Sequence, residues 1–435
     1  MKSLIKSILK FTSFVIVLFI AIVMLINTSP FDEELNPEIK KIMQDVSMPV
    51  VEGNAYYALM GLSADKDKDM VEVGYKLILR YLENRKKGND EITISDYKEI
   101  LGTKNPNNSS EWQNNFKFCN AKKDLDCLTQ LSQAITDEFL IESRLKTMLS
   151  RYNKIIQMKT FGNFLDTTWN TPLISYSKML NLSQIQMAAI YRPQYRSEFL
   201  FHLNKDMQFW KMHLEQGKYL LDKMVAFAAI RNDLHYLSEY MRKNEIVESN
   251  YSQIKDILTP LSKQDLDLSI SFINESRSIF NTGTSMDTGS SLLENLFSQP
   301  NATSNAYYEL NLKEQLQQSK LSIAELIKQR KNNGRLDKSG FKLHYLYNFF
   351  GKTLVDLSSC ACSDYIVRGH NLINIFKMVN IQFQAKQPDI QSVQQLLSKQ
   401  NNFNPIDNKP FEYNEENKQL QFECLDKHGQ CKIQL

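Results

Sequence analysis

Three short strings in the 435-residue sequence contain residue types that catalyse hydrolysis or bind phosphate. Asp287-Thr288-Gly289-Ser290 would be catalytic only if a second carboxylate shared a proton with its aspartate. The sequence has no second Asp-Thr-Gly, and mostly polar residues precede this one, so we expect a surface loop. Gly351-Lys352-Thr353 is half of a phosphate-binding loop, but Leu346 stands where that motif needs glycine.

A serine and a lysine three positions apart, Ser175 and Lys178, have the spacing found in acyl-serine enzymes. The companion motifs of those enzymes are absent, as are Gly-x-Ser-x-Gly and His-Glu-x-x-His. The sequence therefore identifies no catalytic residue and no cofactor-binding residue.

Two sets of histidine and cysteine residues contain side chains that can bind metal ions. His202 and His213 are eleven positions apart, which on one helix separates them by ~16 Å, too far to share an ion. Cys424, His428 and Cys431 are suitable ligand types, but in an oxidising compartment two such cysteines favour a disulfide. We expect no metal site and no cofactor.

The N-terminus contains one strongly apolar stretch. Residues 14–26 are uninterrupted apolar residues, and Phe11-Thr12-Ser13 lengthens the stretch to ~24 Å of helix. Lysines precede it at positions 2, 6 and 10, which places the N-terminus in the cytoplasm. We predict a single-pass inner-membrane anchor through residues 11–27 with the bulk of the chain in the periplasm. A cleaved signal peptide is the alternative, but no Ala-x-Ala precedes the exit at Asn27.

Charge restricts the partners of the exported part. The chain has 52 basic and 49 acidic residues, and three of the lysines precede the anchor, so the remainder has 49 of each. Phosphate-backbone binding needs a clustered basic excess. We therefore expect no nucleic-acid partner.

All six cysteines follow the anchor, in a compartment where disulfides persist. Cys119 with Cys127 and Cys424 with Cys431 are close in sequence and are predicted to pair locally. Cys360 and Cys362 remain open: they form a redox-active pair, a structural bridge to each other or to another cysteine, or buried thiols.

The low content of glycine (14) and proline (11) and the helical spacing of apolar residues predict a mainly α fold. It comprises an N-terminal transmembrane helix, a multi-helix array and a small C-terminal β-ribbon. One long helix is expected over residues 124–157 and a surface loop over residues 88–115. The predicted segments are 1–29 (tip and anchor), 30–280 (periplasmic helical domain), 281–305 (polar loop excursion), 306–399 (second helical segment packing on the first) and 400–435 (disulfide-stapled ribbon).

The anchor and three short segments resemble uncharacterised single-anchor exported proteins of Gram-negative bacteria. These segments are Asn54 to Leu62, Asp206 to Ala226 and Tyr347 to Arg368. The resemblance implies anchoring and export, and it supplies no activity. The tail, with Pro405, Asp407, Pro410 and Tyr413, is similar to the ends of pseudopilin-type envelope proteins, which implies a local fold and no filament role.

Paired and single aromatic residues are candidates for a groove between helices or for the core. They include Tyr56, Tyr57, Trp210, Tyr307 and Tyr308. We expect a non-catalytic binding or scaffold protein of the cell envelope with an envelope protein partner. The alternatives are an envelope hydrolase with carboxylates assembled from distant helices, and a periplasmic immunity-type inhibitor.

Overall fold

The chain is described by a computed structural model that covers most of the sequence. The described residues are 2–44, 48–89, 91–102, 116–121, 123–165, 170–284, 299–332, 346–358, 362–386, 393–425 and 431–435. The Asp287 string, Cys360 and His428 lie outside them.

Helices make up most of the described chain, as the sequence predicts. They are α1 (Lys2–Ile26), α2 (Pro37–Ile42), α3 (Ala55–Met60), α4 (Met70–Lys86), α5 (Ile94–Leu101), α6 (Cys127–Ala134), α7 (Asp137–Ile141), α8 (Ser143–Ile155), α9 (Tyr176–Tyr191), α10 (Phe199–Gln216), α11 (Leu220–Lys243), α12 (Glu248–Ile257), α13 (Ser269–Thr284), α14 (Pro300–Tyr307), α15 (Lys313–Gln318), α16 (Ile323–Asn332), α17 (Phe349–Leu357), α18 (Cys362–Ala385) and α19 (Val393–Ser398).

A small antiparallel sheet follows near the C-terminus, with strands β1 (Glu412–Asn414), β2 (Gln419–Gln421) and β3 (Lys432–Gln434) in that order. Leu420 pairs with Tyr413 on one side and with Ile433 on the other. A mainly helical fold with an N-terminal apolar helix and a C-terminal ribbon is therefore confirmed.

Local capping changes two of the predicted elements. The helix expected over residues 124–157 is divided into α6, α7 and α8. Thr136 Oγ1 accepts from the Phe139 N–H, and the Glu142 carboxylate accepts from the Arg144 N–H, so each starts a new helix. The loop expected over residues 88–115 contains α5, which begins with a capping box between Thr93 and Asp96.

The chain divides into two compact units that are each discontinuous in sequence. Unit 1 comprises residues 1–46, 272–321 and 325–363, and unit 2 comprises residues 47–271, 322–324 and 364–435. Unit 1 thus combines the N-terminal residues with a segment from the second half of the chain.

In unit 1, the apolar helix α1 ends in a buried polar contact. Its span Ile5–Ile26 is long and apolar enough to cross a membrane, and large side chains along it, such as Phe11, are exposed. Asn27 follows directly and is fully buried. Its side chain donates to the Leu346 carbonyl and accepts from the Asn348 N–H, both at 2.8 Å.

The residues after α1 are also tied to α14 within unit 1. The Asp32 carboxylate accepts from the backbone N–H groups of Asn301 (2.9 Å) and Ala302 (3.0 Å), at the start of that helix. Asn305 accepts from the Asn36 N–H at 2.9 Å. The chain that leaves α1 is therefore held by side-chain contacts over several residues.

In unit 2, helices α3 and α4 pack with their backbones in contact. A Cβ at Gly61 would overlap the Met70 carbonyl oxygen, and a Cβ at Gly74 would overlap the Tyr57 carbonyl oxygen. Only glycine permits this approach at both positions. The contact fixes where α3 ends and where the segment that follows it begins.

Disulfides connect sequence neighbours in unit 2. Cys119 is bonded to Cys127 and Cys424 to Cys431, with Cα–Cα distances of 5.7 and 5.5 Å. Cys362, which belongs to unit 1, is disulfide-bonded as well. The buried Glu239 carboxylate accepts from the Leu128 N–H at 2.8 Å, so it caps the helix that begins at Cys127.

Candidate functional site: a cationic pocket beside a serine–lysine contact

The aromatic residues considered for a groove are packed in the interior of the two units. Tyr56, Tyr57 and Trp210 are buried in unit 2, Tyr307 is buried in unit 1, and Tyr308 is half-buried there. The ring of Tyr56 lies 6.1 Å from that of Phe161. Tyr56 also borders a cavity of about 40 Å³, which has room for one or two water molecules.

Buried carboxylates occur in unit 2, as a spatially assembled hydrolase site would require. Asp206 is fully buried and accepts from the hydroxyls of Tyr152 and Ser183, both at 2.5 Å. Burial raises the pKa of Asp206 from 3.8 to about 6. Burial and the nearby charge of Asp206 raise the pKa of Asp233 well above its ordinary value.

Asp222, on α11, is the buried carboxylate that borders the 40 Å³ cavity. It accepts from Asn163 Nδ2 at 2.6 Å, the Tyr176 hydroxyl at 2.5 Å and the Tyr219 N–H at 3.0 Å. Burial raises its pKa. These three hydrogen bonds connect the start of α11 to neighbouring segments. Because they already satisfy the carboxylate of Asp222, it is poorly placed to act on a ligand.

A larger pocket, of about 190 Å³, lies elsewhere in unit 2 between the start of α8 and the segment that follows α3. An apolar cavity of about 150 Å³ is large enough to hold benzene, so this pocket admits a small organic group. Its lining mixes charged, hydroxyl and apolar side chains: Ser63, Ala64, Asp65, Lys66, Ser143, Arg144, Thr147, Met148 and Arg151. We call it the Ser63 pocket.

Arg151, on α8, holds one wall of the Ser63 pocket in place. Its guanidinium donates to four backbone carbonyls of the segment after α3, those of Leu62, Ala64, Asp65 and Lys68. The side chain is buried, and burial lowers its pKa. Because its donors are used on the backbone, Arg151 organises the pocket wall instead of offering its charge to a ligand.

Two further cations line the Ser63 pocket and face solvent. Arg144 and Lys66 are exposed, and neither forms an ion pair with a described residue. Asp65 contributes the negative charge of the lining. The excess of positive charge makes the pocket suited to an anionic group, which arginine binds through paired N–H donors.

A buried lysine contacts Ser63, one of the two serines that line this pocket. Lys178, in the first turn of α9, is 2% exposed, and its Nζ donates to Ser63 Oγ at 2.9 Å. Burial, with a smaller contribution from the positive charge of Arg144, lowers the pKa of Lys178 from 10.5 to about 8. Buried lysines with a lowered pKa concentrate at functional sites.

Lys178 connects a sequence signal with the candidate site, although it contacts Ser63 from outside the pocket lining. The sequence spacing pairs Lys178 with Ser175, but the structure shows Lys178 in contact with Ser63, 115 positions away. Ser63 itself lies in no recognisable motif. Gly351-Lys352-Thr353 lies within helix α17, and among the described residues no group of three His, Cys, Asp or Glu side chains is arranged to hold a metal ion.

No family model, curated protein or solved structure matches the chain.

Proposed function

We propose that the protein is a membrane-anchored binding protein of the cell envelope whose exported part takes a small anionic ligand in the Ser63 pocket. The observation that carries the proposal is a 190 Å³ pocket lined by the exposed cations Arg144 and Lys66, with the buried Lys178 behind Ser63. Such a site combines a concave surface with convergent polar groups.

The contacts of Asn27 support an anchor that is retained. Cleavage near Ser29 would remove α1 together with Asn27, whose side chain is fully buried against Leu346 and Asn348. The freed backbone groups of Leu346 and Asn348 would lose their partners. A retained helix keeps these contacts, as expected for a signal anchor and not for a cleaved signal peptide.

The proposed orientation places the N-terminus in the cytoplasm and the bulk of the chain in the periplasm. The lysines in the first turns of α1, ahead of its uninterrupted apolar stretch, and the disulfides beyond α1 support this orientation. Alkaline extraction of membranes should retain the full-length chain, and protease added to spheroplasts should digest it down to α1. A soluble form that begins near Ser29 would contradict the anchor.

Binding of an anion is tested by calorimetric titration of the full-length protein in mild detergent. One titration uses benzoate and a second uses inorganic phosphate, so that carboxylate and phosphate groups are distinguished. The double variant Lys66→Gln and Arg144→Gln should weaken binding about tenfold, because charge-assisted hydrogen bonds are lost. Higher salt should weaken binding to the wild type as well.

The matched control is Lys146→Gln. This exposed lysine lies on the same helix as Arg144 but does not line the pocket, so the variant loses one surface charge there and leaves the lining intact. It should bind benzoate and phosphate like the wild type. Binding that is equally weak in the wild type and the double variant would overturn the proposed function.

The envelope protein partner expected from the sequence fits the same proposal if that partner presents a carboxylate to the pocket. Site-specific photocrosslinking from Thr147, at the pocket rim, should then capture one envelope protein in intact cells. The capture should decrease in the Lys66→Gln and Arg144→Gln double variant. Equal capture by the double variant would place the partner elsewhere on the surface.

A further inference from the structure

We propose that Ser63 and Lys178 form a nucleophile–base pair that hydrolyses esters of anionic acyl groups bound in the Ser63 pocket. The inference rests on the proposed function, because the same pocket supplies the binding site for the substrate. It adds an activity that the binding proposal does not contain.

The geometry of the pair matches what an activated serine needs. Lys178 Nζ and Ser63 Oγ are 2.9 Å apart, within the 2.6–3.2 Å reach of a base that removes the hydroxyl proton. Ser63 forms part of the pocket lining, whereas Lys178 does not. A substrate in the pocket would therefore meet the hydroxyl, with the amine on its far side.

Lys178 is suited to act as the base because an appreciable fraction of it is neutral near physiological pH. With a pKa of about 8, roughly one amine in ten is neutral at pH 7. Among the described residues, Arg144 has a positive charge that favours the neutral amine, and the charged residues Lys66, Arg151 and Asp65 line the adjoining pocket.

The nucleophile is held on a rigid segment. Ser63 lies between Leu62 and Ala64, whose carbonyls both accept from the Arg151 guanidinium. Gly61, two residues before Ser63, is in backbone contact with Met70. A reacting atom fixed in this way loses little freedom when the substrate binds, which favours the reaction.

The reaction is balanced with water as the second reactant. Lys178 takes the proton of the Ser63 hydroxyl while Oγ bonds to the ester carbonyl carbon. The carbon–oxygen bond of the ester then breaks, and the leaving alkoxide takes the proton back from Lys178. Water then attacks the carbonyl carbon of the acyl-serine while Lys178 removes its proton. The bond between this carbon and Oγ breaks, Lys178 returns the proton to Oγ, and a carboxylic acid leaves.

The exposed cations determine the class of substrate. Arg144 lies on the same lining as Ser63, so a substrate with a second, free carboxylate can bind this cation while its ester carbonyl approaches Oγ. Met148 adds an apolar surface for the connecting chain. The favoured substrate is therefore an ester of a short dicarboxylic acid rather than a neutral ester.

The experiment uses the full-length protein in mild detergent with two chromogenic esters, mono-p-nitrophenyl succinate and p-nitrophenyl butyrate. The wild type should hydrolyse the succinate at least tenfold more efficiently, with a rate that rises to a plateau above pH 8. Ser63→Ala and Lys178→Met should each lower the rate at pH 8 at least 100-fold. Arg144→Gln should abolish the preference for the succinate.

The matched control is Ser175→Ala, which removes the serine that the Ser-x-x-Lys spacing singles out but that does not line the pocket. It should leave the hydrolysis rate unchanged. A fluorophosphonate probe provides a second readout, and peptide mapping should find the adduct on Ser63 in the wild type and in Ser175→Ala.

The catalytic pair would be overturned if the wild type and Ser63→Ala hydrolysed the esters equally. It would also be overturned if the wild type bound benzoate but hydrolysed neither ester. Both results would leave the binding function intact. A wild type that neither binds benzoate nor hydrolyses the esters would instead count against both proposals. Benzoate titration of Ser63→Ala, Lys178→Met and Ser175→Ala identifies a variant that has failed to fold, and urea unfolding does so for Arg144→Gln.

Discussion

Tyr152 donates its hydroxyl hydrogen to Asp206 Oδ1 at 2.5 Å in the interior of unit 2, where Asp206 is fully buried. Burial raises the pKa of Asp206, and the hydrogen bonds from Ser183 and Tyr152 moderate this rise because they stabilise the carboxylate. The folded protein therefore binds a proton at Asp206 more tightly than the unfolded chain does.

The first prediction concerns stability as a function of pH. Because the pKa of Asp206 is raised on folding, this group contributes to the free energy of unfolding. The contribution is fully present below pH 3.8 and is lost as pH rises through about 6. Tyr152→Phe removes a donor to the charged carboxylate, so it should cost about 2 kcal/mol at pH 8 and about 1 kcal/mol at pH 4.5. Urea unfolding of the full-length protein, followed by tryptophan fluorescence, measures the difference.

The control for this prediction is Tyr240→Phe. Tyr240 is also buried in unit 2, but its hydroxyl makes no hydrogen bond to a carboxylate among the described residues. Its cost should be the same at both pH values. A cost for Tyr152→Phe that does not change with pH would show that Asp206 keeps the same charge across this range.

The second prediction concerns Lys178, which should reduce the stability of the protein at neutral pH. Its pKa is lowered to about 8, so stability from this group is present above pH 10.5 and is lost as pH falls through 8. Lys178→Met should therefore be more stable than the wild type by about 2 kcal/mol at pH 7. The gain should shrink between pH 8 and 10.5.

Lys146→Met, an exposed lysine on α8, is the comparison for Lys178→Met and should show little gain at any pH. Destabilisation by Lys178→Met at pH 7 would mean that the charged amine supports the fold. The predicted gain in the free energy of unfolding would instead indicate that Lys178 destabilises the fold, as active-site groups often do.

The third prediction concerns the guanidinium of Arg151. Arg151→Met leaves the carbonyls of Leu62, Ala64, Asp65 and Lys68 without their donor, and should cost about 3 kcal/mol or more. Arg144→Met, on the same helix but exposed, should change the free energy of unfolding by less than about 0.5 kcal/mol. Similar costs for both variants would mean that the four hydrogen bonds contribute nothing.

The fourth prediction concerns the backbone contact between α3 and α4. Gly61→Ala places a methyl group on the Met70 carbonyl, so the helices must separate, at a cost of about 3 kcal/mol. Gly162→Ala is the control, because its Cβ would approach Pro49 Cβ at 3.3 Å, a contact that small shifts relieve. A lowered thermal midpoint for Gly61→Ala alone is the expected result, and equal midpoints would contradict it.

The parts of the fold that are predictable from sequence have local signals. The apolar run of α1 and the alternation in β1 and β2 each lie within a few consecutive residues, as do Cys424 and Cys431. The breaks among α6, α7 and α8 were missed because the apolar spacing continues through them. Thr136 and Glu142, which start new helices, are ordinary residues in a helical pattern until their caps are seen.

The candidate site was not predictable, because its residues come from three distant segments. Ser63 follows α3, Arg144 begins α8 and Lys178 begins α9, and none of the three belongs to a specific motif. A lysine among apolar residues in the first turn of α9 was the available signal. This lysine points to a site only because it is buried, and its burial results from tertiary packing that the sequence does not show.

The four hydrogen bonds from Arg151 also affect the entropy cost of ligand binding in the Ser63 pocket. Because the wall from Leu62 to Lys68 is ordered before anything enters, little conformational entropy is lost on association. The affinity of the Ser63 pocket for its ligand should then depend on shape and charge complementarity and not on the folding of a loop around the ligand.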